Sequence, residues 1–257
     1  PVTVEIVKGG PVNAFTLPGD RMIFYSDLID GAKEGSQVAG VLAHEMGHVV
    51  HAHAIKGMIR QYGLSVLLGL LTTVLGYAGV FAVFTYIAPL MVEVTGYTSA
   101  AVSPVMLVFG GGLIAGNLVG GRLADRHLRG TLIGSLVALA VTLALMTFAV
   151  HDKVWAVVFV ALLGAVAFST VPPLQMWVLE KAQGAGQSIA SSFNIAAFNL
   201  GNALGAWVGG VVISHGPGLT ALPWVAALAP IGALLLIAIG LRLHGTEDAA
   251  TQRPQTA

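Results

Sequence analysis

Between Thr72 and Gly240 the chain carries only nine charged residues: Glu93, Arg122, Asp125, Arg126, Arg129, Asp152, Lys153, Glu180 and Lys181. A soluble domain of that length has to place polar and charged groups over its whole outer surface, and about a quarter of its residues are charged. Lipid-embedded helices have no such need. Apolar runs suited to spanning lie at about 71–92, 101–121, 130–150, 154–178, 188–214 and 222–241. Each is close to the ~20 residues that a bilayer core demands. The expected class is therefore mainly α: a six-helix transmembrane bundle over 71–244, followed by a disordered polar tail, 245–257.

The front of the chain obeys a different rule. Residues 1–60 hold five Lys/Arg and six Asp/Glu, an ordinary soluble density, so two composition regimes meet between Arg60 and Thr72. The formal net charge is zero, and no global field argues for nucleic acid. With no cysteine, disulfides and thiolate metal sites are excluded. Because the first residue is Pro1, the natural start is expected upstream.

Within 1–70, "TVEIV" alternates as a half-buried strand does, and "RMIFYS" reads as a second strand. The polar run "DGAKEGSQ" leads into an apolar-periodic helix from about Gln37 to Arg60, with Ser36 as the expected N-cap. That helix carries His44-Glu45-Met46-Gly47-His48. Four residues advance a helix by about 400°, so the two imidazoles share a face one turn apart. Such a pair can reach one Zn²⁺, and Glu45 beside it can take a proton from a metal-bound water. His51 lies about 10.5 Å along the axis from His44, too far to join one ion held by bonds of about 2.1 Å. His53 points away, and Ala54 stands where a metzincin would need its third histidine.

"NAFTLPGDRMIFYSDLID" followed by "AGVLAHEMGHVVHAHAIK" resembles the HtpX/Oma/BepA-type zinc metallopeptidases over residues 2–70. The resemblance implies a small α/β fragment, His44 and His48 as zinc ligands and Glu45 as general base. It also implies a third ligand, a Glu in a Glu-x-x-x-Asp pattern on a later helix, and this sequence has no such pattern.

In the apolar part, the breaks that hold Arg122, Arg126, Arg129 and Lys181, together with the tail, carry six Lys/Arg; the alternate breaks carry only Lys153. The positive-inside rule then puts both termini in the cytoplasm of a bacterial-type inner membrane. Glycines recur every four residues at Gly112, Gly116 and Gly120 and at Gly201, Gly205 and Gly209, smooth stripes that admit another helix closely. Asn117, Asn194, Asn199 and Asn202 are polar groups at membrane depth, where they should face protein or a watery cavity. Pro172-Pro173 should break or kink the fourth span.

"GYAGVFAVFTYIAPLMVEVTGYTSAAVS", "GNLVGGRLADRHLRG" and "SSFNIAAFNLGNALGAWVGGVVIS" resemble helices seven to twelve of a major facilitator superfamily transporter, of the proton-coupled drug or sugar efflux type. The resemblance covers 72–244 and places Gly121, Asp125, Arg126 and Arg129 on the family's loop motif, with Leu128 where a glycine is usual. Tyr86, Asn117, Gln175 and Asn199 are the polar candidates for a substrate cavity. The family has two six-helix halves, so the resemblance implies a missing N-terminal half or a homodimer as partner. It also makes that partner the expected neighbour of both glycine stripes. Three readings stand: a transporter-type membrane protein fused to an incomplete peptidase segment, a membrane-anchored HtpX-like zinc endopeptidase, and a non-functional fusion.

Overall fold

The computed structural model describes the backbone over 3–9, 13–17, 21–182 and 187–251, and the side chains within those ranges except at 3, 15–17, 21, 44–62 and 243–251. The chain divides into two compact units, Pro1–Gln61 and Tyr62–Ala257.

The first unit opens with three strands, β1 (Thr3–Val7), β2 (Ala14–Leu17) and β3 (Arg21–Tyr25). β3 is central: β1 runs parallel to it with Thr3 opposite Arg21, and β2 runs antiparallel with Ala14 opposite Phe24. As the middle strand it is paired along both edges, and Met22, Ile23 and Phe24 are all buried in succession. Strand β2 is additional to the two expected from alternation. It is too short, at four residues, to show a period.

Gly9, at φ +74°, turns the chain after β1, and its N–H is held by Ser26 Oγ at 2.9 Å. Helices α1 (Ser26–Gly31) and α2 (Gly35–Phe84) follow. Ala14, Met22 and Phe24 form a small core against Leu28, Val38, Val41 and Leu42. Ser36 is not the cap. The helix begins at Gly35, Ser36 Oγ donates to Glu34 Oε2 at 3.0 Å, and Gln37 Oε1 reaches back to the Lys33 N–H at 2.9 Å. A longer amide spans the first turn where the hydroxyl is already engaged.

The regular elements described in the second unit are all helices: the rest of α2, α3 (Ile87–Pro89) with a π-helical turn Leu90–Val94, α4 (Ser99–Ala149), α5 (Lys153–Ser169), α6 (Val171–Lys181), α7 (Gln187–His215) and α8 (Leu222–Thr251). Among the described residues, five stretches are long and apolar enough to cross a membrane: Gly63–Phe84, Ser99–Ala149, Lys153–Lys181, Gln187–His215 and Leu219–Arg242. Six separate spans were expected, and the difference lies in α4. Its 51 residues contain one non-helical position, His127, at φ −146° and ψ 74°. A straight helix would hold Val105 and Met146 about 60 Å apart, yet both belong to one core cluster. The chain therefore reverses at His127, leaving arms of about 28 and 22 residues, each long enough to span. The expected loop "RLADRHLR" is helical except at that hinge.

Prolines account for two other interruptions. Pro172 and Pro173 lack N–H groups and crowd the preceding turn, and the helix parts at Thr170 between α5 and α6. Pro89 stands three to four residues after the turn at Thr85–Tyr86, where α2 ends. The main core joins residues of α2, α4, α5, α7 and α8, among them Val80, Phe109, Leu143, Leu163, Val212 and Leu222. Large apolar side chains such as Leu107, Ile114, Phe148 and Trp207 are left on the outside, as lipid-facing positions require.

Candidate functional site

The backbone of α2 is helical without interruption through 44–48, which sets the positions of His44 and His48 one turn apart on one face. The side chains of His44, Glu45 and His48 lie outside the described residues. Among the described residues no group of three His, Asp or Glu side chains forms a metal site. The helix suits a two-histidine pair, but the described residues do not complete a donor set.

The glycine stripes are occupied from within the chain, which corrects the expectation that they meet an absent half. In α4, a Cβ on Gly112, Gly116 or Gly120 would overlap the carbonyl oxygens of Ala161, Ala165 and Ser169 in α5. Gly164 of α5 returns the fit against the carbonyl of Phe109. In α7, Gly201, Gly205 and Gly209 press on the carbonyls of Val74, Ala78 and Ala82 in α2, and Gly209 also meets the Tyr86 ring. Backbone-to-backbone approach is the strongest contact small residues offer where lipid removes the hydrophobic drive. Neighbours in the same bundle reach it first.

A polar chain crosses three of these helices. Thr73 Oγ1 of α2 donates to Asn194 Oδ1 of α7 at 2.7 Å; Asn194 Nδ2 donates to Gln175 Oε1 of α6 at 2.6 Å; Gln175 Nε2 donates to Ser191 Oγ at 2.8 Å. Thr73 and Asn194 are fully buried. Both ends of the Asn194 amide are engaged and the side chain is fully buried, so the group holds the helices together. Sequence reading marked Asn194 and Gln175 as polar groups at depth but had no signal for Thr73, which sits in an apolar run. Tyr86 fills the notch at Gly209 and Gly210, its hydroxyl donating to the Ala206 carbonyl at 2.9 Å. Asn202 is partly buried, and its Oδ1 has no hydrogen-bond partner among the described residues.

Asn117 and Asn199 are placed otherwise. Each is exposed, on the faces of α4 and α7 that carry Ile114 and Leu118, and Ile195 and Trp207. The loop-motif residues gather at the hinge of α4: Gly121 lies close to Pro172, and Asp125, Arg126 and Arg129 are exposed around His127. Asp125 forms no ion pair among the described residues. The Arg129 guanidinium instead stands 5.9 Å from the centroid of the Trp177 ring, and Lys181 Nζ stands 4.7 Å from the same centroid.

Two family descriptions match the chain, and they overlap. The description Peptidase family M48 fits residues 1–110, and Major Facilitator Superfamily fits residues 69–257. The peptidase match thus runs some forty residues past the point where the motif-based resemblance ends, and both cover 69–110. The chain is 44% identical over 177 residues to the Inner membrane transport protein YdhP of Escherichia coli O157:H7, covering 69% of this chain and 45% of that protein. It is 37% identical over 167 residues to the Uncharacterized MFS-type transporter YtbD of Bacillus subtilis, covering 64% and 42%. To the Purine ribonucleoside efflux pump NepI of Shigella sonnei it is 29% identical over 248 residues, covering 92% and 60%. The chain spans about half the length of the curated relatives it matches most strongly. With nearly three quarters of its residues inside the one family match and a bundle of membrane helices to show for it, this chain belongs to the Major Facilitator Superfamily.

Proposed function

We propose that residues 71–244 form the C-terminal half of a small-molecule efflux carrier of the inner membrane, with both termini cytoplasmic, and that it transports only when a second six-helix bundle lies against it. Residues 1–70 are then a peptidase segment fused to it without its third ligand. The observation that carries the reading is the uncovered pair Asn117 and Asn199. A bare amide facing lipid loses its hydrogen bonds, so each calls for protein or water against its face of the bundle. The glycine faces of the same helices are already filled, which leaves these outer faces for a second bundle. Such a bundle encloses a cavity at mid-membrane, the arrangement through which alternating access works. The relatives support efflux, since one of them is named a purine ribonucleoside efflux pump.

The test is flux in proteoliposomes, with the chain alone and with a separately supplied N-terminal half. Uptake of a tracer nucleoside or cationic dye that needs both pieces, and falls at least tenfold with Asn199→Leu, is the expected result. Absence of flux in every combination rejects the reading.

A second reading, a membrane-anchored zinc endopeptidase, is favoured by one observation: the HExxH segment sits on unbroken helix within a region that fits Peptidase family M48. Under the carrier reading, casein cleavage is at background and identical in Glu45→Gln, and zinc does not co-purify in stoichiometric amount. Cleavage that Glu45→Gln abolishes reverses the order of the two readings. If neither flux nor cleavage is found, the non-functional fusion stands.

A further inference from the structure

Trp177 is 6% exposed, and it is the side chain on which two cations converge, Arg129 from the second arm of α4 and Lys181 from the end of α6. Each gains from the ring's negative face, but two positive charges drawn to one indole repel each other. The acids closest to them in sequence, Asp125 and Glu180, pair with neither among the described residues. The cations therefore want a shared anion. Beside Trp177 and Lys181 the surface carries a shallow crevice of about 20 Å³, lined by Ser65, Leu68, Thr72, Trp177, Lys181 and Ile237. Its wall is mostly apolar, and the Thr72 hydroxyl in it donates to the Leu68 carbonyl at 2.7 Å.

An apolar slot with a cationic rim, at the end of the bundle where Arg122, Arg126 and Arg129 cluster, has the chemistry of one ligand. We propose that this crevice binds an anionic phospholipid, one acyl chain lying along α2, α6 and α8 and the headgroup phosphate held by Lys181 and Arg129. A free phosphate would satisfy the cations but leave the slot empty. A zwitterionic lipid would fill the slot but bring its own positive charge to the rim. Recognition by both parts selects the anionic lipid. The indole has a second role here: stacking orders both long side chains in advance, so that less conformational entropy is lost when the headgroup arrives.

The other three tryptophans, Trp155, Trp207 and Trp224, are exposed, so replacing them with Phe leaves Trp177 as the only indole at small structural cost. The full chain carrying those replacements is reconstituted in phosphatidylcholine vesicles doped with acyl-brominated phosphatidylglycerol or, separately, acyl-brominated phosphatidylcholine. Bromine quenches an indole that it touches. The expected result is quenching by the anionic lipid at roughly twenty-five-fold lower mole fraction than by the neutral one. Each cation should contribute about fivefold, the preference one basic residue has for an anionic surface. Lys181→Gln and Arg129→Gln each reduce that preference, Lys181→Arg retains it, and quenching by the neutral lipid stays the same in all, showing that the bundle is intact. Equal quenching by the two lipids, a preference indifferent to both Gln variants, or a preference removed by excess inorganic phosphate would each overturn the assignment.

Discussion

The two units are held together by different forces. In the first, four apolar side chains are buried among the described residues, and three of them, Ala14, Met22 and Phe24, form a cluster closed by residues of α1 and the start of α2. That is apolar area taken from water, about 25 cal/mol per Å², and a small unit has little of it to offer. In the second, apolar area drives nothing between helices, since lipid is as apolar as leucine. Cohesion there comes from backbones brought into contact at glycine and from hydrogen bonds across helices, as at Gly116 on Ala165 and Asn194 on Thr73 and Gln175. The same kind of substitution should therefore act oppositely in the two places: shrinking a side chain harms the front unit, and enlarging one harms the membrane unit.

The most damaging test is Gly116→Leu. Its side chain would require the Ala165 carbonyl to move, and no folded, monodisperse membrane unit is expected in detergent. Gly116→Ala is milder, with a loss of about 1–3 kcal/mol in thermal or denaturant unfolding. Gly111 has nothing near its missing Cβ, so Gly111→Ala should be neutral or slightly stabilising. If Gly111→Ala and Gly116→Ala behave alike, close helix approach is not what holds this unit. Next comes Met22→Ala, which removes a fully buried side chain at a cost of about 2–5 kcal/mol. Amide exchange should rise throughout residues 3–42 while the helices beyond Tyr62 keep their protection. Smaller again is Asn194→Leu, at about 1–2 kcal/mol, with a Thr73–Asn194 coupling near 0.6 kcal/mol in a double-mutant cycle.

How much of this could be read from residues alone depends on the range over which each signal acts. Helical spans, the proline breaks and the small spacing of the stripes are local, so Pro172, Gly112 and Gly205 announced themselves. The partner of a stripe is not local: Gly205 and Ala78 are 127 positions apart, and a smooth face does not say which helix will fill it. The break between residues 121 and 130 was legible, but its form, a single hinge at His127 within continuous helix, was not, for a related reason. A charged run in an apolar chain marks where helices leave the membrane, and "RLADRHLR" contains good helix formers that keep hydrogen bonding up to the point of reversal. At the candidate sites the asymmetry is the same. The His44–Glu45–His48 pattern is visible because its spacing lies within two turns. That Asn194 is consumed by Thr73 and Gln175, whereas Asn117 and Asn199 remain uncovered, is settled by packing, and four asparagines look alike in sequence.

Helix starts give the finest comparison. In the membrane unit, Asp152 is the N-cap of α5, its Oδ1 accepting from the N–H groups of Val154 and Trp155 at 2.9 and 3.0 Å. In the front unit, α2 begins with Gln37 reaching back to a single N–H. A carboxylate capping two donors also meets the positive end of the helix dipole, whereas the amide carries no charge. Asp152→Ala should cost about 1 kcal/mol, and Asp152→Asn, which keeps the acceptor, less than half of that. Gln37→Ala should stay within about 0.5 kcal/mol, since an exposed side chain is lost and water can serve the Lys33 N–H. Unfolding followed unit by unit, by exchange at Val154 and Trp155 and at Lys33, separates the cases. Equal effects at the two sites would mean that the end of α5 is as open to water as the start of α2, and the contrast between the units would then stop short of the membrane surface.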